Sequence, residues 1–175
     1  GTYLEGEITA NLAVFYIDWT NQSINEQRCT PQKEGPCEVN NIVTNAGESD
    51  VKGLELEIQW FPTDYQSYTL AYGYTDAELE DYVDEEFAIL QCPEGCYEVD
   101  ADGALTEDAK DLVNTFGDVA GNTAPRVPEH NLALSQLFQA PFITSGVEYF
   151  VRNDFIYEAK KYNTTSNLTW APSQW

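Results

Sequence analysis

The sequence predicts an all-β fold of antiparallel up-and-down strands, part of a transmembrane β-barrel with two long extracellular loops. Three observations predict it. Apolar residues recur with period 2 over most of the chain, the connections between those runs alternate between a few residues and tens of residues, and no run approaches the ~20 apolar residues of a membrane helix. A spanning β-strand needs only about 9–11 alternating residues, so the absence of a helix leaves a barrel open.

The element around which the rest is organised is Val51 to Asp76. Leu54, Leu56, Ile58 and Trp60 fall on one side of a strand, and Gly53, Glu55, Glu57 and Gln59 on the other. Tyr68, Leu70, Tyr72 and Tyr74 then oppose Ser67, Thr69, Ala71, Gly73 and Thr75. Phe61 to Asp64 forms the turn, because Pro62 fixes φ and donates no N–H while Asp64 can bond its own backbone. The unit is a hairpin with one aromatic, apolar face and one small, acidic face.

From the start, Glu7 to Trp19 reads as a strand whose apolar row is Ile8, Ala10, Leu12, Val14 and Tyr16. Phe15, Ile17 and Trp19 add bulk to its second face near one end. Thr20 to Asn45 reads as a long, polar, irregular loop, and a second loop runs from about residue 80 to 126. Within that loop Leu105 to Val113 suits a short helix with Thr106 as N-cap. Asn131 to Gln139 follows as a strand in which Gln136 interrupts the row of Leu132, Leu134 and Phe138. After a turn over Ala140 to Gly146, Val147 to Tyr157 forms another strand, and Tyr162 to Trp170 a sixth.

Charge and composition limit the partners. The 175 residues carry a net charge of −22, with no basic stripe for nucleic acid. Asp76 to Asp118 holds 15 of the 30 acidic residues and a single Lys, Lys110, which suits a solvated loop. Eleven Tyr, no Met and 13% aromatic content weight the chain towards strands. As rows on one face, Tyr68, Tyr72 and Tyr74 with Tyr149, Phe155 and Tyr157 suit belts at a membrane interface; a carbohydrate-stacking platform is the alternative.

Cys29 with Cys37, and Cys92 with Cys96, are close pairs in polar stretches, which suits local disulfides in an oxidising compartment. Free thiols and a metal site are the alternatives, and no second ligand pair has zinc spacing. Asp100, Asp102 and Asp81 to Glu86 offer hard oxygen ligands but not the spaced twelve-residue calcium loop. His130 is the only histidine and no nucleophile matches it, so it reads as a rim residue. Glu55 and Glu57 stand two apart on a strand, roughly 6.5–7 Å, a spacing open to an inverting glycosidase; the simpler reading is that both face a polar lumen with Gln59. The sequons at Asn21, Asn163 and Asn167 read as chance. No enzyme, cofactor or metal is expected.

Four patterns resemble one family. Leu12 to Trp19 with Gln22, then Asn45 to Glu48 followed by Val51 to Glu57 with Trp60 and Pro62, then Leu70 to Ala77, and finally Gly121-Asn122 with Pro125 to Pro128 are similar to stretches of TonB-dependent outer-membrane receptors. The resemblance covers most of residues 1–160. It implies a piece of a plugged barrel in the bacterial outer membrane, cut at both ends and lacking the plug, with about six of roughly 22 strands. It further implies uptake of a scarce ligand such as an iron–siderophore complex. The implied partners are that ligand, outer-membrane lipid, and an inner-membrane energy-coupling complex acting through the absent plug. A secreted β-sandwich binding module is the alternative.

Overall fold

The computed structural model describes residues 1–4, 7–30, 38–92, 95–96, 98–142 and 146–175. Its elements are β1 (Thr2–Tyr3), β2 (Ile8–Thr30), β3 (Glu38–Thr63), β4 (Gln66–Asp81), α1 (Glu85–Gln91), α2 (Glu107–Phe116), β5 (His130–Pro141), β6 (Glu148–Glu158), β7 (Lys161–Tyr162) and β8 (Trp170–Ala171). The first six strands form one antiparallel sheet in sequence order, β1 to β6, which does not close; β7 and β8 form a small separate ribbon.

Register follows the alternation in the sequence. Leu12, Leu56, Tyr72, Leu132 and Tyr157 are successive cross-strand partners in one row. The next row contains Ala10, Ile58, Leu70, Leu134 and Phe155. Because cross-strand partners share a face, every strand contributes its apolar set to the same side. A slip by one residue would scatter that set to both sides.

Three parts differ from the sequence reading. Of the loop expected over Thr20 to Asn45, Thr20 to Thr30 and Glu38 to Asn45 are extended strand: pairing of β2 with β3 continues past bulges near Trp19 and Gln22 up to Thr30 and Glu38, and residues 31–37 lie outside the described residues. These stretches are mostly polar and carry no apolar alternation, so periodicity did not reveal them. An unexpected helix, α1, follows Asp84, whose carboxylate accepts the N–H of Phe87 at 3.0 Å while Glu85 and Glu86 occupy the first turn. The sixth strand expected over Tyr162 to Trp170 reduces to the β7–β8 pair. There Asn167 adopts φ of 56° and its N–H bonds the Thr164 carbonyl, turning the chain at a run of Asn, Thr and Ser. The sheet still has six strands because Thr2–Tyr3 pairs with Ile8 and Thr9.

The helix expected over Leu105 to Val113 is α2, slightly displaced and with the expected cap: Thr106 accepts the N–H of Ala109 at 3.2 Å. In α2 Lys110 donates to Glu107 at 2.7 Å, and that bond raises its pKa above the usual lysine value.

Burial is distributed unlike that of a soluble domain. All the described buried apolar residues, from Ala77 and Leu79 to Val119 and Ala124, lie between 77 and 124. The large apolar residues of the sheet are left open, with Leu12 68% and Val14 77% exposed. No second sheet covers them among the described residues, which removes the β-sandwich alternative.

Candidate functional site

The sheet presents two opposed faces, and each is a candidate surface. On the apolar face no Asp, Glu, Lys or Arg occurs between the Trp60–Tyr68 row and the Leu54–Tyr74 row. Immediately above, Lys52 pairs with Asp76 at 3.0 Å, and Asp18, Asp50 and Glu78 form the following row. Aromatic side chains concentrate at the margins. Trp60 stacks on Tyr68 (5.3 Å between centroids) at the lower margin, and Tyr74 meets His130 (5.3 Å) at the upper one. The phenol of Tyr72 also lies 2.9 Å from Nδ1 of His130, so the rim histidine is held in an aromatic cluster.

The apolar band runs obliquely across the strands. Its centre on β2 is Leu12, in the middle of Ile8 to Tyr16, yet the partner of Leu12 along that row on β6 is Tyr157, the top of the Val147–Tyr157 run. The band centre therefore shifts by five residues from β2 to β6. That is about 17 Å along a strand over four strand spacings of about 19 Å in total. A horizontal band then requires strands tilted by roughly 40°, within the 35–45° of outer-membrane barrels.

The opposite face is small and polar, and it is hollowed. Ala13, Ala71, Gly73 and Ala133 leave an open trough of about 570 Å³, edged by Asn11, Glu55, Glu57, Asn131 and Glu158. Space exists because these strands place small side chains side by side; a Cβ added at Gly73 would meet nothing within 4 Å. Glu55 and Glu57, singled out from the sequence, stand on this face with Gln59, whose Nε2 donates to Glu57 at 3.3 Å. Sequence reasoning missed the cluster beside them, in which Ser135 (2.7 Å) and Arg152 (2.8 Å) both donate to Asp154. Only the register of β5 against β6 brings those three together.

Towards the long-connection end the same face turns apolar, with Phe15, Ile17, Val51, Ala77 and Leu79. Phe15 lies over Gly53, where a Cβ would stand 2.6 Å from its ring and 2.3 Å from the Tyr74 carbonyl oxygen. The segment 82–124 folds back on this part as a cap. Tyr82, Val119 and Ala124 pack on Ala77 and Leu79, while Ala88, Cys96 and Val113 form a second small core. Cys92 and Cys96 are joined by a disulfide in that second core. Of the expected Cys29–Cys37 pair, Cys37 lies outside the described residues and Cys29 is described only as backbone of β2. Thr165 ties the cap to the 163–169 turn, its hydroxyl donating to Asp84 and its carbonyl accepting from Asn122 at 2.9 Å.

Residues 2–175 match the family described as TonB dependent receptor-like, beta-barrel. The chain belongs to the TonB-dependent receptor β-barrel family. Two solved structures share its fold. The siderophore receptor PiuA from Acinetobacter baumannii superposes with a TM-score of 0.58 at 20% identity, over 98% of this chain and 19% of that one. BauA, the ferric preacinetobactin receptor from Acinetobacter baumannii, gives 0.54 at 15% identity, over 97% of this chain and 19% of that one. This TonB-dependent receptor chain thus spans about a fifth of either solved receptor chain. No curated protein matches its sequence.

Proposed function

We propose that this chain is a section of the wall of a bacterial outer-membrane receptor. The whole receptor imports a scarce ligand, such as an iron–siderophore complex, and an inner-membrane complex powers it through a plug domain. The carrying observation is the charge-free apolar band on five successive strands, oblique at the angle of a tilted barrel wall and backed by a polar, hollowed face. On this reading Leu54, Leu56, Ile58, Tyr68, Leu70, Tyr72 and Tyr74 face lipid, and Glu55, Glu57 and Gln59 face the lumen. The cap and the β2–β3 ribbon then stand outside the cell, since all long connections lie at one end of the sheet. Carboxylates in the lumen make a cationic or neutral cargo easier to pass than an anionic one.

The test uses the full-length receptor under iron limitation, with growth on ferric chelates scored with and without the energy-coupling complex. Growth that needs both receptor and coupling complex, and that Leu56→Arg abolishes by removing the protein from the outer membrane, is the expected result. A receptor carrying Leu56→Arg that still reaches the outer membrane at normal level, or growth indifferent to the coupling complex, would overturn the reading.

A further inference from the structure

The rim above the apolar band is divided by charge. Over β2, β3 and β4 it carries the row Asp18, Asp50 and Glu78, and Lys52 beside that row is matched by Asp76 at 3.0 Å. Beyond the upper ends of β5 and β6 the sign reverses. Arg126 and Lys160 are exposed there, and among the described residues neither side chain has a carboxylate within ion-pair distance. The acids of the adjoining segments are engaged elsewhere: Glu158 binds Lys161 at 2.5 Å and Glu129 faces His130 at 3.9 Å. In a chain with 30 acidic and 8 basic residues, two neighbouring unmatched cations are the exception.

Tyr162 draws these cations together. Its carbonyl accepts the Arg126 N–H at 2.7 Å, and its hydroxyl accepts from Lys160 Nζ at 3.1 Å, with that ammonium 4.7 Å from the ring centroid. Among the described residues no hydrogen bond uses the Tyr162 hydroxyl proton, the other two N–H groups of Lys160, or the Arg126 guanidinium. Every unused group is a donor, so the cluster suits an anion with several oxygens, as a phosphate has.

Face and depth narrow the choice. Lys161 bonds Glu158 on the polar side of the sheet, so Tyr162, the next residue of β7 and the partner of Trp170, turns to the apolar side. Glu158, the last residue of β6, stands one residue beyond Tyr157, about 20 Å along the strand from the β6 centre and roughly 16 Å from the midplane at a tilt near 40°. Lys160 and Tyr162 follow it into the headgroup zone, which runs from about 15 to about 22 Å on either side of the midplane.

We propose that Lys160, Arg126 and Tyr162 hold the phosphate of an outer-leaflet lipid against the outside of the wall. The proposal rests on the lipid-facing reading above. On the outward face at this depth the anion within reach is a headgroup. Its acyl chains continue down over Trp175, whose ring lies 5.1 Å from Phe155 and 4.3 Å from Tyr157 between centroids. The Asp18, Asp50 and Glu78 row repels the same headgroup over β2 to β4, which confines it to the β6 side.

The test titrates the full-length receptor in detergent micelles with diphosphoryl lipid A, and with the same lipid stripped of its phosphates, counting bound lipid by native mass spectrometry. Each cation should contribute about five-fold, so Lys160→Gln combined with Arg126→Gln should weaken lipid A binding about 30-fold. Lys160→Arg should stay within about two-fold of the unsubstituted receptor, and Lys110→Gln in the cap should change nothing. The stripped lipid should bind as weakly as lipid A binds the double variant, whose far-UV signal should be unaltered because both side chains are exposed. Equal binding of the two lipids, full affinity in the double variant, or an equal loss in Lys110→Gln would overturn the proposal. Inorganic phosphate binding the cluster as tightly as lipid A would overturn it too, since that marks a site for a free anion. The lipid-facing reading fails separately, if brominated acyl chains in vesicles do not quench a fluorophore placed at Leu12→Cys.

Discussion

Leu12 and Tyr157 lie in one row of the sheet, yet they should respond very differently to a buried charge. In a tilted wall Leu12 is at mid-depth, while Tyr157, five residues above the β6 centre, is about 17 Å along the strand and roughly 13 Å from the midplane at a tilt near 40°. An arginine on the lipid face of a barrel costs about 2–4 kcal/mol at the midplane and about 0–1 near the interface. Comparing Arg with Ala at each site removes the loss of the native side chain, including the tilted contact of Tyr157 with Trp175, 4.3 Å between ring centroids. Leu12→Arg should therefore be less stable than Leu12→Ala by about 2–4 kcal/mol, and Tyr157→Arg less stable than Tyr157→Ala by at most about 1 kcal/mol. The assay is urea titration of the full-length receptor refolded into lipid vesicles, following the shift of the far-UV signal. Equal Arg-minus-Ala differences at the two sites would refute the tilt and, with it, the assignment of the band to a bilayer.

Three further outcomes follow from other parts of the structure. Gly53→Ala places a Cβ against Phe15 and the Tyr74 carbonyl and should cost about 1–3 kcal/mol in the same titration, with Phe15→Ala relieving only part of it because the backbone clash persists. Thr165→Val takes from Asp84 Oδ2 its hydroxyl donor, while Oδ1 keeps the N–H of Phe87, and should loosen the cap by about 1–3 kcal/mol, visible as faster amide exchange over residues 82–92 with the strands unaffected. Cys92→Ser with Cys96→Ser opens a five-residue loop whose closure is worth about 2 kcal/mol on chain entropy; the cap, but not the sheet, should become more sensitive to protease.

The sheet was legible because its side chains alternate between two environments that differ greatly in polarity. Leu54, Leu56 and Ile58 against Glu55, Glu57 and Gln59 fix both the strand and its face, and their partners on β2 and β4 repeat the pattern. The ribbon over residues 20–30 and 38–49 was not legible, because its sequence is mostly polar and no apolar alternation marks it. α1 was hidden in the acidic run, where Asp84 to Glu86 read as solvated charge although Asp84 is the cap. In the trough, the small residues of β4 and β5 were visible as a small face, but the meeting of Arg152, Ser135 and Asp154 depends on register between strands joined by a turn. Gln136 looked like a flaw in one row, yet it hydrogen-bonds both of its register partners, Tyr68 and Asn153.

The division of labour between sheet and cap follows from where each can bury apolar surface. The sheet cannot bury its apolar face against itself, so its stability depends on the surrounding phase supplying the missing contacts. The cap carries its own core, and all the described buried apolar residues lie in it or at the end of β4 that it covers, Ala77 and Leu79. Ala77 and Leu79 join the two systems, for they end the β4 ladder on the polar-face side and are covered by Val119 and Ala124. A cap seated there overhangs the polar face of the sheet rather than the apolar face. A displacement that lifts the cap off the sheet must expose Leu79, and because Thr165 ties the cap to the 163–169 turn, the two should move as one unit while that tie holds.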